Sequence, residues 1–322
     1  MTNSEKLFSK INQCENILII CHRNPDADTI GSAGALAFYI AEECRRAVTI
    51  FCVNEPPRSL DFLDVKKFFI KVTSPDLSEF DFVIAVDCGD ISQTGLAEKF
   101  LQFNEHGVAT ANIDHHQTNG GYADINIVES ASATADIIYK LLRERDAKFT
   151  KPISTCLLAG IISDTTYFTN AGTTKEAMAH ASELLKNQAD IKAIIKNTWR
   201  KNSPEALKVW GKILSQLQFN EQYKIVTAVI SREDAILPEV FEGLANFLTT
   251  LYEANIILVL REESDGEIKC SLRTTKDNID VSKLAKRFGG GGHTGAAGFS
   301  LRGRLIRTQS GWKIEKQQTS IQ

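Results

Sequence analysis

Ile17-Leu18-Ile19-Ile20-Cys21 runs directly into His22-Arg23-Asn24-Pro25-Asp26-Ala27-Asp28. The first five residues are short, uniformly apolar and rich in β-branched side chains, the pattern of a strand buried on both faces. The polar loop that follows hands over to residues 30–44, whose small and apolar side chains read as a helix. Strand, polar loop, helix is the repeating unit of parallel α/β folds. Working outward, residues 48–53, 82–86 and 109–113 read as further strands, and the last two run directly into acidic residues.

Helices then take over, with apolar residues at helical spacing in 133–143 and 153–163 and further helical stretches at 174–186 and 191–200. The remainder reads as a smaller α+β unit. It has strands at 224–230, 255–261 and 267–274, a short helix at 281–288 and the glycine run 289–292, and the last ~15 residues are polar without a legible pattern. The predicted organisation is an α/β domain over 1–188, a connection over 189–204 and a second domain over 205–322.

Composition narrows the class. The 322 residues hold 43% hydrophobic and 24% charged side chains, which fits roughly two globular domains and excludes a disordered or fibrous chain. With 37 basic against 40 acidic residues the formal charge is −3, which argues against a protein that coats long nucleic acid with a uniformly basic surface. Seven scattered cysteines without a C-x-x-C pair argue against a disulfide scaffold or a cysteine-built zinc site and suggest a reducing compartment. No apolar run approaches the roughly 18 residues of a membrane helix. The expected location is the cytoplasm.

The carboxylates gather where α/β sheets bind ligands, outside the carboxyl ends of the strands. His22, Asp26 and Asp28 follow the first strand, Asp87 another, and Asp114-His115-His116 another, while Asp164 closes the helix at 153–163. Any one of these aspartates taken alone reads as a turn residue or helix cap. Together they would repel one another and raise their own pKa values unless cations neutralise them. Mixed imidazole and carboxylate ligands suit a transition metal such as Mn²⁺ better than Ca²⁺. His22, Asp26, Asp28, Asp87, His115 and Asp164 are too many for one catalytic ion, and they suit two ions sharing a carboxylate. His106 and His180 stand apart from this group.

The second domain supplies a different chemistry. Four glycines before His293 are too costly in entropy for a helix or strand interior, so the run reads as a loop. Its backbone N–H groups can cradle phosphate oxygens, with His293 as a further donor. Between 265 and 308 there are 9 Lys or Arg and 4 Asp or Glu, and Arg273 is the best-placed phosphate clamp.

On these residues the chain resembles the DHH-family phosphoesterases. The carriers are the H-x-x-P-D-x-D-x-x-G-S stretch from His22 to Ser32, Asp87 after its strand, Asp114-His115-His116, the helix end at Asp164 and the glycine run with His293. They span residues 21–298 in the family's order; the family often has glycine at position 27, where this chain has Ala27. Within the family the short members that act as oligoribonucleases and as phosphatases of adenosine 3′,5′-bisphosphate (pAp) are the most similar.

The resemblance implies a larger parallel-sheet domain with helices on both faces, a smaller α+β domain and an active site in the cleft between them. It implies two Mn²⁺ ions, with Mg²⁺ or another divalent ion as a substitute. His22 and Asp26 would hold one ion, Asp28, His115 and Asp164 the other, and Asp87 would bridge. His116 would face the substrate phosphate, Asp114 would orient its neighbours, and Gly290, Gly291, Gly292, Arg273 and His293 would receive phosphate. The implied function is hydrolysis of short oligoribonucleotides to mononucleotides and removal of the 3′-phosphate of pAp. The rival readings are a cyclic- or linear-dinucleotide phosphodiesterase, an exopolyphosphatase and a silent nucleotide-binding regulator, the last disfavoured because all six candidate ligands are present. Short RNA and pAp are the expected partners, not long nucleic acid or membrane; a homodimer stays open.

Overall fold

The apolar run at residues 17–21 lies at the heart of a five-stranded sheet. A computed structural model describes residues 1–105, 107–170, 172–199, 203–234, 244–263, 266–276, 278–292, 294–308 and 311–315. It divides into two units, Met1–Arg200 and Lys201–Gln322. The first contains α1 (Asn3–Gln13), β1 (Asn16–Cys21), α2 (Ala27–Glu42), β2 (Ala47–Phe51), β3 (Phe82–Val86), α3 (Ala97–Glu105), β4 (Ala109–Asp114) and β5 (Ile125–Val128). It continues with α4 (Thr134–Arg143), α5 (Lys151–Asp164), α6 (Lys175–Lys186) and α7 (Ile191–Ile194).

The strand order is β2-β1-β3-β4-β5, every pair parallel. Alternation along β1 explains why both faces are dry. Ile17, Ile19 and Cys21 join the core under α2, α4 and α5, while Leu18 and Ile20 pack with Val83, Ala85 and Phe100 of α3 on the other side. The helices α2 and α5 approach closely because glycines line the contact. A Cβ on Gly31 would sit 2.3 Å from the Cys156 carbonyl oxygen, and one on Gly160 would sit 2.6 Å from Oδ1 of Asp28.

The structure adds α1 to the sequence reading. Thr2 and Glu5 form a capping box at its start, and Leu7, Phe8 and Ile11 are buried on one face. Burying side chains of this size contributes about 1.5–3 kcal/mol each. The short edge strand β5 is also new; four residues give too little alternation to read.

The second unit contains α8 (Pro204–Leu214), β6 (Gln218–Asn220), β7 (Ile225–Ile230), α9 (Leu244–Leu248), β8 (Ile256–Glu262), β9 (Glu267–Arg273), α10 (Val281–Lys286), β10 (Gly291–Gly292), β11 (Ala296–Arg302), β12 (Arg304–Thr308) and β13 (Gly311–Glu315). Its main sheet runs β10-β11-β9-β8-β7-β6, antiparallel except for β7 against β8. Two readings change here. The hairpin β12-β13 reaches into the polar tail with its second strand, and Leu305, Trp312 and Ile314 pack with Ile268 and Cys270. Part of the glycine run is a strand after all, because Gly291 and Gly292 pair with Gly298 and Ala297. Among the described residues no helix is long and apolar enough to cross a membrane.

Candidate metal centre

The order β1-β3-β4 sets three strand ends side by side, and with them His22, Asp87 and His115. Asp87, 3% exposed, follows β3 with φ 58°. Aspartate tolerates this left-handed conformation better than most residues with a side chain. Its two oxygens face different groups. Oδ2 lies 3.6 Å from Nε2 of His22, whereas Oδ1 lies 3.7 Å from Nε2 of His115.

Around this carboxylate the donor atoms fall into sets whose members lie within 4.8 Å of one another: His22, Asp26 and Asp87; Asp87, His115 and His116; and Asp28, His115 and Asp164. His115 Nε2 is 3.2 Å from Oδ2 of Asp164. The other nitrogen of His115 meets the Ala131 carbonyl at 3.3 Å. A carbonyl can only accept, so Nδ1 carries the proton and Nε2 keeps its lone pair for a ligand. All six candidate ligands are thus brought to one place.

Asp26 serves as a cap as well. Its Oδ1 accepts from the backbone N–H groups of Asp28 and Thr29 at the start of α2, while Oδ2 is turned towards His22 at 3.9 Å. Asp28 does not cap its own helix. It is fully buried and accepts from the N–H groups of Thr134 and Ala135 at the start of α4, at 2.7 and 2.9 Å. Burial and the neighbouring Asp87 and Asp26 carboxylates push Asp28 well above the ordinary carboxylate range, against those two N–H bonds. Burial pushes Asp164 up likewise, reinforced by Asp28 and Asp87. Carboxylates crowded in this way, beside imidazoles presenting lone pairs, fit divalent cations in both ligand type and charge.

Asp114 and His116 form a second layer. Oδ1 of the fully buried Asp114 accepts from Nδ1 of His116 at 2.7 Å, and its Oδ2 accepts from Asn119 at 2.8 Å. Burial lowers the His116 pKa, but the bond and charge of Asp114 more than reverse this and leave it above its ordinary value. Burial alone would raise Asp114, yet its bonds to His116 and Asn119 hold it below its ordinary value.

Several site residues escape sequence reasoning. The hydroxyls of Thr29 and Thr134 donate to the two oxygens of Asp87 at 2.6 and 3.0 Å, and Asn119 steadies Asp114. Threonines at helix starts are common as caps, so nothing local marks these two. After Asp164 the chain leaves α5 through Thr166, Tyr167 and Phe168, all at left-handed φ. Such residues cost about 1–3 kcal/mol each and persist where the surroundings over-determine them. His180 is not isolated either: its Nδ1 binds the buried Asp136 carboxylate and its ring stacks on Tyr139.

In the second unit Arg273 is half-buried at the end of β9 and donates from Nη1 to the Leu272 carbonyl at 3.0 Å. Burial lowers its pKa from the ordinary arginine value. The glycine run alternates. A Cβ on Gly290 would lie 2.0 Å from the Gly298 carbonyl oxygen and one on Gly292 2.5 Å from that of Ala296, whereas Gly289 and Gly291 face open space. His293 and His106 lie outside the described residues.

Comparison with known proteins agrees with this arrangement. A family model for the DHH family, N-terminal domain, matches residues 16–161, and one for the DHHA1 domain matches residues 221–310. The chain is 29% identical over 89% of its length to the bifunctional oligoribonuclease and PAP phosphatase NrnA of Thermus thermophilus, covering 84% of that protein. It is 25% identical to the protein of the same name from Bacillus subtilis, covering 92% of both chains. Among solved structures, an exopolyphosphatase-related protein from Bacteroides fragilis shares the fold with a TM-score of 0.85 at 22% identity, over 94% of this chain and 91% of that one. A sheet whose strand ends gather aspartates and histidines, followed by a glycine-bearing second unit, is thus matched in both halves, and the chain carries a DHH-family N-terminal domain followed by a DHHA1 domain.

Proposed function

We propose that the chain is a metal-dependent phosphoesterase of the cytoplasm that hydrolyses short oligoribonucleotides to mononucleotides and removes the 3′-phosphate of pAp. The observation that carries the reading is the division of Asp87, whose two oxygens face two separate histidines within a cluster of buried carboxylates. The relatives' names supply the substrates. Two Mn²⁺ ions, held by His22 with Asp26 and by Asp28, His115 and Asp164, with Asp87 shared, would supply Lewis acidity towards water and the phosphoryl oxygens.

The chain's own groups do the rest. Threonine hydroxyls hold the two oxygens of Asp87 and helix N–H groups hold those of Asp28, so both carboxylates keep fixed directions. His116, oriented by Asp114, faces the substrate phosphate, where it donates to a phosphoryl oxygen or returns a proton to the leaving oxygen. Arg273, His293 and the Gly291–Gly292 end of the glycine run receive the phosphate that is not attacked, the N–H groups of Gly289 and Gly290 being bonded to the carbonyls of Lys286 and Ala285 at 3.1 and 3.0 Å.

The test is initial-rate hydrolysis with Mn²⁺ of pAp, a 5′-phosphorylated RNA trimer, linear diadenylate, cyclic di-AMP and polyphosphate. Release of AMP from pAp and of mononucleotides from the trimer is the expected result. Selective cleavage of cyclic di-AMP or polyphosphate would replace the substrate assignment, and no hydrolysis of any substrate would overturn the enzyme reading.

A further inference from the structure

Phe288 stands immediately before the glycine loop and is 49% exposed. It is held rather than loose. Its ring lies on that of Phe299 with centroids 4.6 Å apart and planes inclined by 18°. Phe299 in turn packs against the core formed by Leu272, Val281, Ala285 and Ala297. One face of Phe288 is therefore backed by a fixed ring, and the side chain remains half open to solvent.

The surroundings point to a ligand of defined chemistry. Gly289 and Gly291 face open space, while Gly290 and Gly292 are locked against β11, so the loop that follows the ring is open without being slack itself. Lys286 and Arg287, both exposed, precede Phe288 in the chain. Cations, a backed aromatic ring and a glycine loop in unbroken succession are the parts of a nucleotide site: charge for phosphate and a π-face for a base.

We propose that Phe288 is a nucleobase platform, on which the base attached to a phosphate held by the glycine loop stacks. The proposal rests on the phosphate-receiving role given above to that loop and names the recognition that role leaves open. Stacking reads the π-face and not the hydrogen-bonding edge, so the site accepts any base and favours purines for their larger rings. The contact lies away from the bond that breaks, so it acts on substrate binding and not on the chemical step.

The experiment compares pAp with its abasic analogue, which carries hydrogen in place of adenine, for the wild-type protein and for Phe288→Ala, Phe288→Leu and Phe288→Trp. In the alanine and leucine variants KM for pAp rises on the order of 10- to 100-fold with kcat unchanged, while turnover of the abasic analogue is unaffected. The tryptophan variant retains the wild-type KM, and AMP quenches its added fluorescence. A purely structural ring would instead change both substrates alike, or neither, and AMP would leave the tryptophan emission unchanged; either result overturns the platform. If the wild-type protein hydrolyses no nucleotide, the proposed function fails, while AMP quenching in the tryptophan variant still decides the platform.

Discussion

The hydroxyl of Thr134 donates to Oδ1 of Asp87 at 3.0 Å, and the backbone N–H of the same residue donates to Oδ2 of Asp28 at 2.7 Å. One residue at the start of α4 thus holds two carboxylates that fall in different candidate metal sets. Thr29 acts similarly from α2, donating to Oδ2 of Asp87 at 2.6 Å and lying 3.3 Å from Oδ1 of Asp26. Hydroxyls bound in this way fix the direction in which each carboxylate oxygen can coordinate.

Replacing Thr134 by valine keeps the shape and the backbone N–H but removes the hydroxyl. Mn²⁺ affinity is expected to fall about 10- to 100-fold, with Thr134→Ser retaining most of it. Calorimetric titration with Mn²⁺ reads this directly. An unchanged isotherm in the valine variant would show that the hydroxyl serves folding alone.

Asp87→Asn is expected to cost more activity than Arg273→Ala. The first removes charge shared by two metal sets; the second removes one charged donor to a phosphate that is not attacked, which weakens substrate binding by about 1.5–3 kcal/mol. Initial rates on pAp, with the number of Mn²⁺ ions bound measured in parallel, check the ranking. Comparable losses would sink the bridging assignment.

Gly290→Ala and Gly291→Ala separate folding from binding within one loop. At Gly290 a methyl group would meet the Gly298 carbonyl oxygen, so the variant is expected to lower the melting temperature. At Gly291 a methyl group meets nothing within 4 Å and φ is not left-handed, so stability is kept. If the loop cradles phosphate, the Gly291 variant nonetheless has a raised KM. Wild-type kinetics there would remove the loop from the substrate site.

Chelation is expected to lower the melting temperature, and Mn²⁺ to restore it, because cations relieve the repulsion among Asp28, Asp87 and Asp164. At a free concentration of 100 Kd a single bound ion stabilises by about 2.7 kcal/mol. Differential scanning calorimetry with EDTA and with Mn²⁺ reads the shift, and Asp87→Asn is expected to abolish most of it. A shift of equal size in that variant would place the stabilising ion elsewhere.

The central strands are legible because each is a short apolar run bounded by polar residues: Phe82–Val86 coincides with its sequence reading, and Asn16–Cys21 begins one residue earlier. The helix α1 was legible in principle through Thr2, Glu5 and the apolar spacing of Leu7 and Ile11. The hairpin β12-β13 was not, since each strand carries only one or two inward apolar residues among charged ones. The glycine run misleads for a related reason: entropy argues against a strand, yet Gly291 and Gly292 pair with β11, and the absent side chains of Gly290 and Gly292 let the backbones meet.

At the metal centre, the sequence by itself determined which residue types stand at the strand ends, because acidic and imidazole side chains directly follow apolar runs that must be buried. The tertiary structure decided how they combine. Parallel pairing in the order β1-β3-β4 sets His22, Asp87 and His115 side by side, although 64 residues separate His22 from Asp87 in the chain. Only the packing of α2 and α4 over that edge assigns Thr29 to one oxygen of Asp87 and Thr134 to the other. The physical reason is range: burial of an apolar run is dictated by neighbours in sequence, whereas the direction of a carboxylate lone pair is dictated by donors that folding brings from elsewhere.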